Sequence, residues 1–190
     1  IVVLVLSVII AASHSNVWGI VSGSIYGTSM IALYSVSSVY HGLYPGMGKK
    51  VMQVIDHCTI YFLIAGTYTP VLLSSVRISH PVIAWVIFGA EWGLAALAVV
   101  FAAIDHKKYG VFNMICYIGM GWCIILALRA TLDTLGLAGF LWLLGGGVAY
   151  TIGAVLYVVG GKKPIWHTVF HVFVVAGSLL QAISILFYVM

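Results

Sequence analysis

Residues 82–104 read VIAWVIFGAEWGLAALAVVFAAI, an apolar stretch with a single ionisable side chain, Glu91. About 20 such residues, wound as a helix, cross the ~30 Å hydrocarbon core of a bilayer. A membrane barrel would instead show alternating segments of about 10 residues. Further apolar runs lie near 1–13, 17–44, 51–75, 110–131, 137–159 and 164–190. They are punctuated by Ser13-His14-Ser15-Asn16, Pro45-Gly46-Met47-Gly48, Ser79-His80-Pro81, Asp105-His106 and Gly160-Gly161. With no water in the hydrocarbon to satisfy the backbone, these runs must be helices. The expected fold is therefore all-α, a seven-transmembrane helix bundle forming one domain over residues 1–190. The first run is short and begins without Met. Lacking a basic segment or a cleavage pattern, it reads as the end of a clipped first helix and not as a signal peptide.

Composition excludes the main alternatives. Hydrophobic residues make up 63% of the chain and charged ones 6%, with a mean hydropathy of +1.17. Four carboxylates and eight cations cannot cover a water-facing surface, where a soluble domain averages roughly a quarter charged residues. The net charge of +4 does not make a nucleic-acid footprint, because the cations are scattered through apolar sequence. Cys58, Cys116 and Cys123 all lie inside apolar runs, so they do not form a disulfide framework.

The cations also set an orientation. Lysines come in three pairs, Lys49-Lys50, Lys107-Lys108 and Lys162-Lys163, after the second, fourth and sixth runs. The opposite side carries only Arg77 and Arg129. The excess places the lysine loops and the amino terminus in the cytoplasm and the carboxy terminus outside. Small residues recur every four positions at Gly19, Gly23 and Gly27, at Gly89 and Gly93, and at Gly145, Ala149 and Gly153. That spacing lets helices approach closely in lipid and is expected to serve internal bundle packing more than a dimer seam. Pro70 is expected to kink or unwind the third helix.

An ionisable side chain within a span is costly, and by default marks function. Four such groups share one depth near the cytoplasmic boundary: His41, Asp56, His167 and His171. His167 and His171 are four residues apart on one helix face, as two imidazoles binding one metal require. Alone this signal is weak, since about a quarter of one such pair arises by chance at this histidine content. The neighbouring positions strengthen it. Ser178 and Gln181 follow the two histidines, Tyr26, Tyr34 and Ser37 align with His41, and Thr59 and Thr67 share a face with Asp56.

Three neutral imidazoles plus one open position describe a catalytic Zn2+ site. On this reading His41, His167 and His171 bind zinc. Asp56 serves as base or orienter for a water at the open position, and Ser37 donates a hydrogen bond to that water or to a developing oxyanion. The alternative is a hydrogen-bonded polar cluster near the headgroups with no metal. The remaining candidates carry less. His57 points about 100° away from Asp56, Cys58 reads as a small core residue, and Glu91 implies protonation or a polar partner. His14, His80 and His106 fall in loops. Arg77 and Arg129 are expected to snorkel to headgroups, and Trp18, Trp85 and Trp166 to form the interfacial belt.

Three stretches together carry a family likeness: Ser37-Ser38-Val39-Tyr40-His41, then Asp56-His57-Cys58-Thr59-Ile60-Tyr61 running into Leu63-Ile64-Ala65-Gly66-Thr67-Tyr68-Thr69-Pro70, then Trp166-His167 through His171. They closely resemble the bacterial haemolysin III family, part of the progestin and adipoQ receptor superfamily, and the likeness covers essentially the whole chain. It implies a bundle with its amino terminus inside, in the bacterial inner membrane. It also implies zinc at the positions matching His41, His167 and His171, with those matching Asp56 and Ser37 beside the metal's water. The superfamily's animal receptors look ceramidase-like, whereas bacterial members are named for a haemolytic activity or linked to lipid and energetic homeostasis. Two functions therefore stand. One is a zinc-dependent hydrolase of a lipid amide or ester. The other is a non-enzymatic lipid-state sensor or pore-former with a structural zinc. The expected partners are membrane lipids and a lipid-like substrate or ligand; no nucleic acid is expected, and the sequence sets no oligomeric state.

Overall fold

The structure, a computed structural model, describes residues 1–105, 110–161 and 164–190. The pairs Lys107-Lys108 and Lys162-Lys163 and the loop residue His106 lie outside the described residues. Among those described there is no strand. The helices are α1 (Val2–Ser13), α2 (Val17–Gly42), α3 (Met47–Pro70), α4 (Pro81–Asp105), α5 (Gly110–Gly121), α6 (Leu128–Gly160) and α7 (Pro164–Tyr188). Asn16 starts α2 by accepting from the Gly19 amide at 2.8 Å, which satisfies one of the amides a helix start leaves free.

Five stretches are long and apolar enough to cross a bilayer: Val17–Gly42, Met47–Ser79, Pro81–Ile104, Phe112–Gly160 and Ile165–Tyr188. The difference from seven has two physical sources. Helix α1 has only 12 residues. The stretch Phe112–Gly160 is counted as one span of 49 residues, yet at 1.5 Å per residue it would reach roughly 74 Å, over twice the hydrocarbon core. It is in fact broken at Gly136, whose φ of 68° and ψ of 174° are not helical. Glycine alone adopts that conformation without strain, so the helix kinks at Gly136, where the sequence separates runs 110–131 and 137–159.

Helix α3 is the most enclosed and lies between α2 and α4. Pro70 perturbs it as expected. A proline has no N–H to continue the ladder, and from Val71 to Val76 the chain widens into a buried π-helical turn before the final turn Arg77–Ser79. Helix α5 is interrupted as well, with a 3-10 segment from Cys123 to Ala127. The Tyr68 hydroxyl of α3 enters this break. It donates to the Gly121 carbonyl at 3.0 Å and accepts from the Ile124 amide at 2.8 Å. One side chain thus satisfies two backbone groups that the break frees, as buried polar groups require.

The small-residue rows divide into two kinds. On α2, a Cβ added at Gly27, Gly23 or Gly19 would lie 2.5 Å from Leu4, 3.0 Å from Ser7 and 2.8 Å from Ala11. This row therefore packs α1 onto α2 inside the molecule, and Ser7 bonds the Gly23 carbonyl at 3.4 Å. On α6, Ala149 is buried and Gly153 faces Phe173 of α7 at 2.8 Å. The tight glycine above them is Gly146, against Gln181 and the Gly177 carbonyl, while Gly145 makes only ordinary contact. Gly89 and Gly93 depart from expectation. No described residue lies within 4 Å of either, so that row faces outward and packs none of the described helices.

Candidate metal centre

At one end of the bundle, helices that are distant in sequence bring their ionisable residues together. His41 lies in the last turn of α2, and His167 and His171 lie near the start of α7. Their Nε2 atoms form a small triangle: His167 to His41 is 3.2 Å, His171 to His41 is 3.2 Å, and His171 to His167 is 3.0 Å. The rings meet edge to face, with centroids 4.7–4.9 Å apart and planes inclined at 61–87°. Each ring therefore points one nitrogen at a shared centre and does not stack on its neighbours. His41 is exposed and the other two are half-buried, so the centre opens at the end of the bundle.

Hydrogen bonding alone cannot satisfy this triangle. A neutral imidazole nitrogen has one in-plane position, filled by either a proton or a lone pair. Of three such atoms, at least two are alike. At least one of the three contacts then sets lone pair against lone pair or N–H against N–H. A cation bound by three lone pairs removes the conflict. Nitrogens held at about 2.0–2.1 Å from one ion in tetrahedral geometry stand roughly 3.3 Å apart, close to the separations here. The group could hold a metal ion, and no other histidine, cysteine or carboxylate joins it among the described residues.

Asp56 of α3 faces the cluster, with His41 and His167 as its electrostatic neighbours. Ser37, one turn before His41, lies close enough to the Asp56 carboxyl to interact with it. Thr59 turns back to the Asp56 carbonyl at 2.6 Å. His57 directs Nδ1 to the Gln53 carbonyl at 2.7 Å and so stays outside the triangle. Cys58 is half-buried and outside it too.

The polar faces of α2 and α7 meet above the centre. Tyr34 donates to Ser178 at 2.7 Å, and Tyr150 of α6 shares a bond with the same hydroxyl at 2.6 Å. Gln181 and Thr67 line a cavity of about 30 Å³ together with Tyr68, Trp122 and residues of α6. Tyr150 and Tyr157 were not singled out in the sequence. Tyr157 sets its ring 5.4 Å from that of His167. Their signal was available, since positions seven apart share the face that carries Gly146 and Gly153.

Comparison with known proteins shows the family. The family profile described as Haemolysin-III related matches residues 1–182. Hemolysin-3 of Bacillus cereus is 35% identical over 187 residues, covering 98% of this chain and 84% of its own length. The Hemolysin-3 homolog of Bacillus subtilis (strain 168) is 36% identical over 185 residues, or 97% of this chain and 85% of that protein. The human Monocyte to macrophage differentiation factor is 29% identical over 178 residues, covering 88% and 70%. No solved structure matches the chain. With apolar helices of spanning length and near full-length matches to bacterial relatives, this chain is a multi-pass membrane protein, consistent with the bacterial inner membrane, and it belongs to the haemolysin III family of the progestin and adipoQ receptor superfamily.

Proposed function

We propose that the chain is a zinc-dependent hydrolase of a lipid amide or ester, ceramidase-like in its chemistry and acting in membrane lipid homeostasis, with His41, His167 and His171 holding Zn2+. One observation carries the reading: three imidazole nitrogens converge at 3.0–3.2 Å with the Asp56 carboxyl as their electrostatic neighbour. Three imidazoles without a fourth protein donor are the set that catalytic zinc uses, whereas structural sites are closed by four. Zinc in this position supplies a Lewis acid that polarises a carbonyl and acidifies water. Asp56 takes the proton of the attacking water and returns it to the leaving amine or alcohol. Ser37 keeps the Asp56 carboxyl turned toward the reacting atoms.

The proposal includes a topology. The chain crosses seven times, with the histidine end and the lysine loops in the cytoplasm. The break at Gly136 supports the count, and the six-to-two bias of lysine over arginine supports the direction. The test is turnover of a long-chain lipid amide or ester by the purified protein. Hydrolysis should be removed by a chelator, restored by zinc and absent in Asp56→Ala. Full activity in that variant would sink the mechanism.

A second reading rests on a different observation, that the three histidines come from α2 and α7, helices near opposite ends of the chain. In that case zinc only clamps the bundle of a sensor or pore-former. Chelation would then lower the melting temperature strongly while no substrate turns over.

A further inference from the structure

Glu91 lies ten residues into α4, about 15 Å along its axis and therefore near the middle of a ~30 Å hydrocarbon layer. It is 0% exposed, and neither carboxyl oxygen has a partner at hydrogen-bonding geometry. The polar side chain set against it is the Cys123 thiol, which is close enough to interact but not aligned as a full bond. Tyr68 is the other titratable neighbour, from α3. The Tyr68 hydroxyl is already engaged at Gly121 and Ile124. Among the described residues, neither Glu91 oxygen has a cationic partner at hydrogen-bonding distance.

An ionised carboxylate without a donor or a cation is not stable in such surroundings, and the group resolves this by taking a proton. A hard cation is a poor alternative, because it wants several oxygen ligands where the neighbours are a thiol and a hydroxyl already in use. Tyr68, the neighbour of Glu91, also lines a mostly apolar cavity of about 30 Å³ to which Thr67 and Gln181 add polar groups; a water needs roughly 10–15 Å³ and two to four polar partners.

We propose that Glu91 is a proton-binding site in the membrane interior, a neutral carboxyl whose O–H turns toward Cys123 and which releases its proton to water in the cavity beside Tyr68. One O–H bond breaks at Glu91 and one forms on water, and uptake reverses the step. The site is separate from the histidine centre and makes the α4–α5 contact sensitive to proton activity.

The chain has only four carboxylates, so infrared spectroscopy of the full protein in lipid vesicles can assign this one. At neutral pH the wild type should show a protonated-carboxyl C=O band that Glu91→Gln removes and that fades reversibly as pH is raised. Absence of the band, its persistence in Glu91→Gln, or a band unchanged into alkaline pH would overturn the proposal. Cys123→Ser gives a second readout should Glu91→Gln not fold. Oxygen accepts more strongly than sulfur, so the band should move to lower wavenumber. An unmoved band would remove Cys123 from the site and overturn the proposal.

Discussion

The two ends of the bundle handle polar side chains in opposite ways. At the arginine end, the Arg77 guanidinium lies 4.2 Å from the ring centroid of Trp18 and its Nε donates to the Leu73 carbonyl at 3.0 Å. Trp18 packs edge-on against Trp85 at 6.0 Å, and His80 meets Asp133 at 3.5 Å. Arg77 and His80 there each have a partner within the chain. At the histidine end three like groups converge, and no assignment of protons satisfies all three contacts. At the first end the contacts are made within the chain, whereas the second is a group that could hold a metal ion. The difference separates interfacial anchoring from a site.

Substitution should affect the two ends unequally. The largest effect is expected from His167→Ala, which removes one corner of the triangle. Its metal affinity should fall by more than the 10–100-fold typical of a supporting residue, as read by competition with a zinc chelator. Retention of wild-type affinity would erase the contrast between the ends. Between the ends, Gly27→Leu forces a side chain into the backbone of α1 and should cost about 1–3 kcal/mol in detergent unfolding. Tyr68→Phe leaves the Gly121 carbonyl and the Ile124 amide without their hydroxyl partner. That should cost about 1–3 kcal/mol in the same assay, with little effect on metal binding. At the arginine end, Trp18→Ala should cost about 0.5–2 kcal/mol through lost cation–π contact. Asp133→Asn should be the mildest, at about 0–1 kcal/mol, because both partners are partly exposed. A larger loss at Asp133 than at Tyr68 would reverse the ranking and mark the arginine end as a second structured site.

Much of this was legible because hydrocarbon makes every polar residue conspicuous. His41, Asp56, His167 and His171 stand out against their runs, and the helical period alone predicts that they face inward. Pro70 announces its break for the same reason, since it has no N–H to give. Contacts made by residues that look ordinary in sequence were not legible. Tyr68 reads as one more aromatic in an apolar run, and only the fold reveals the broken helix that it repairs. Gly145 and Gly146 are adjacent and chemically identical, so spacing cannot say which meets α7. Gly89 and Gly93 have the same spacing as the α2 row but face outward, because close approach depends on a neighbour that a one-helix pattern does not contain. His80 reads as a loop residue in sequence, and its carboxylate partner lies 53 positions away on α6.

The histidine centre is tested most directly by metal content, measured by mass spectrometry on the purified wild type beside His167→Ala and Asp56→Ala. A three-histidine zinc centre requires about one zinc per chain in the wild type, loss in His167→Ala and retention in Asp56→Ala. A wild-type protein with no stoichiometric metal would contradict it, leaving a polar cluster and removing the basis for hydrolysis.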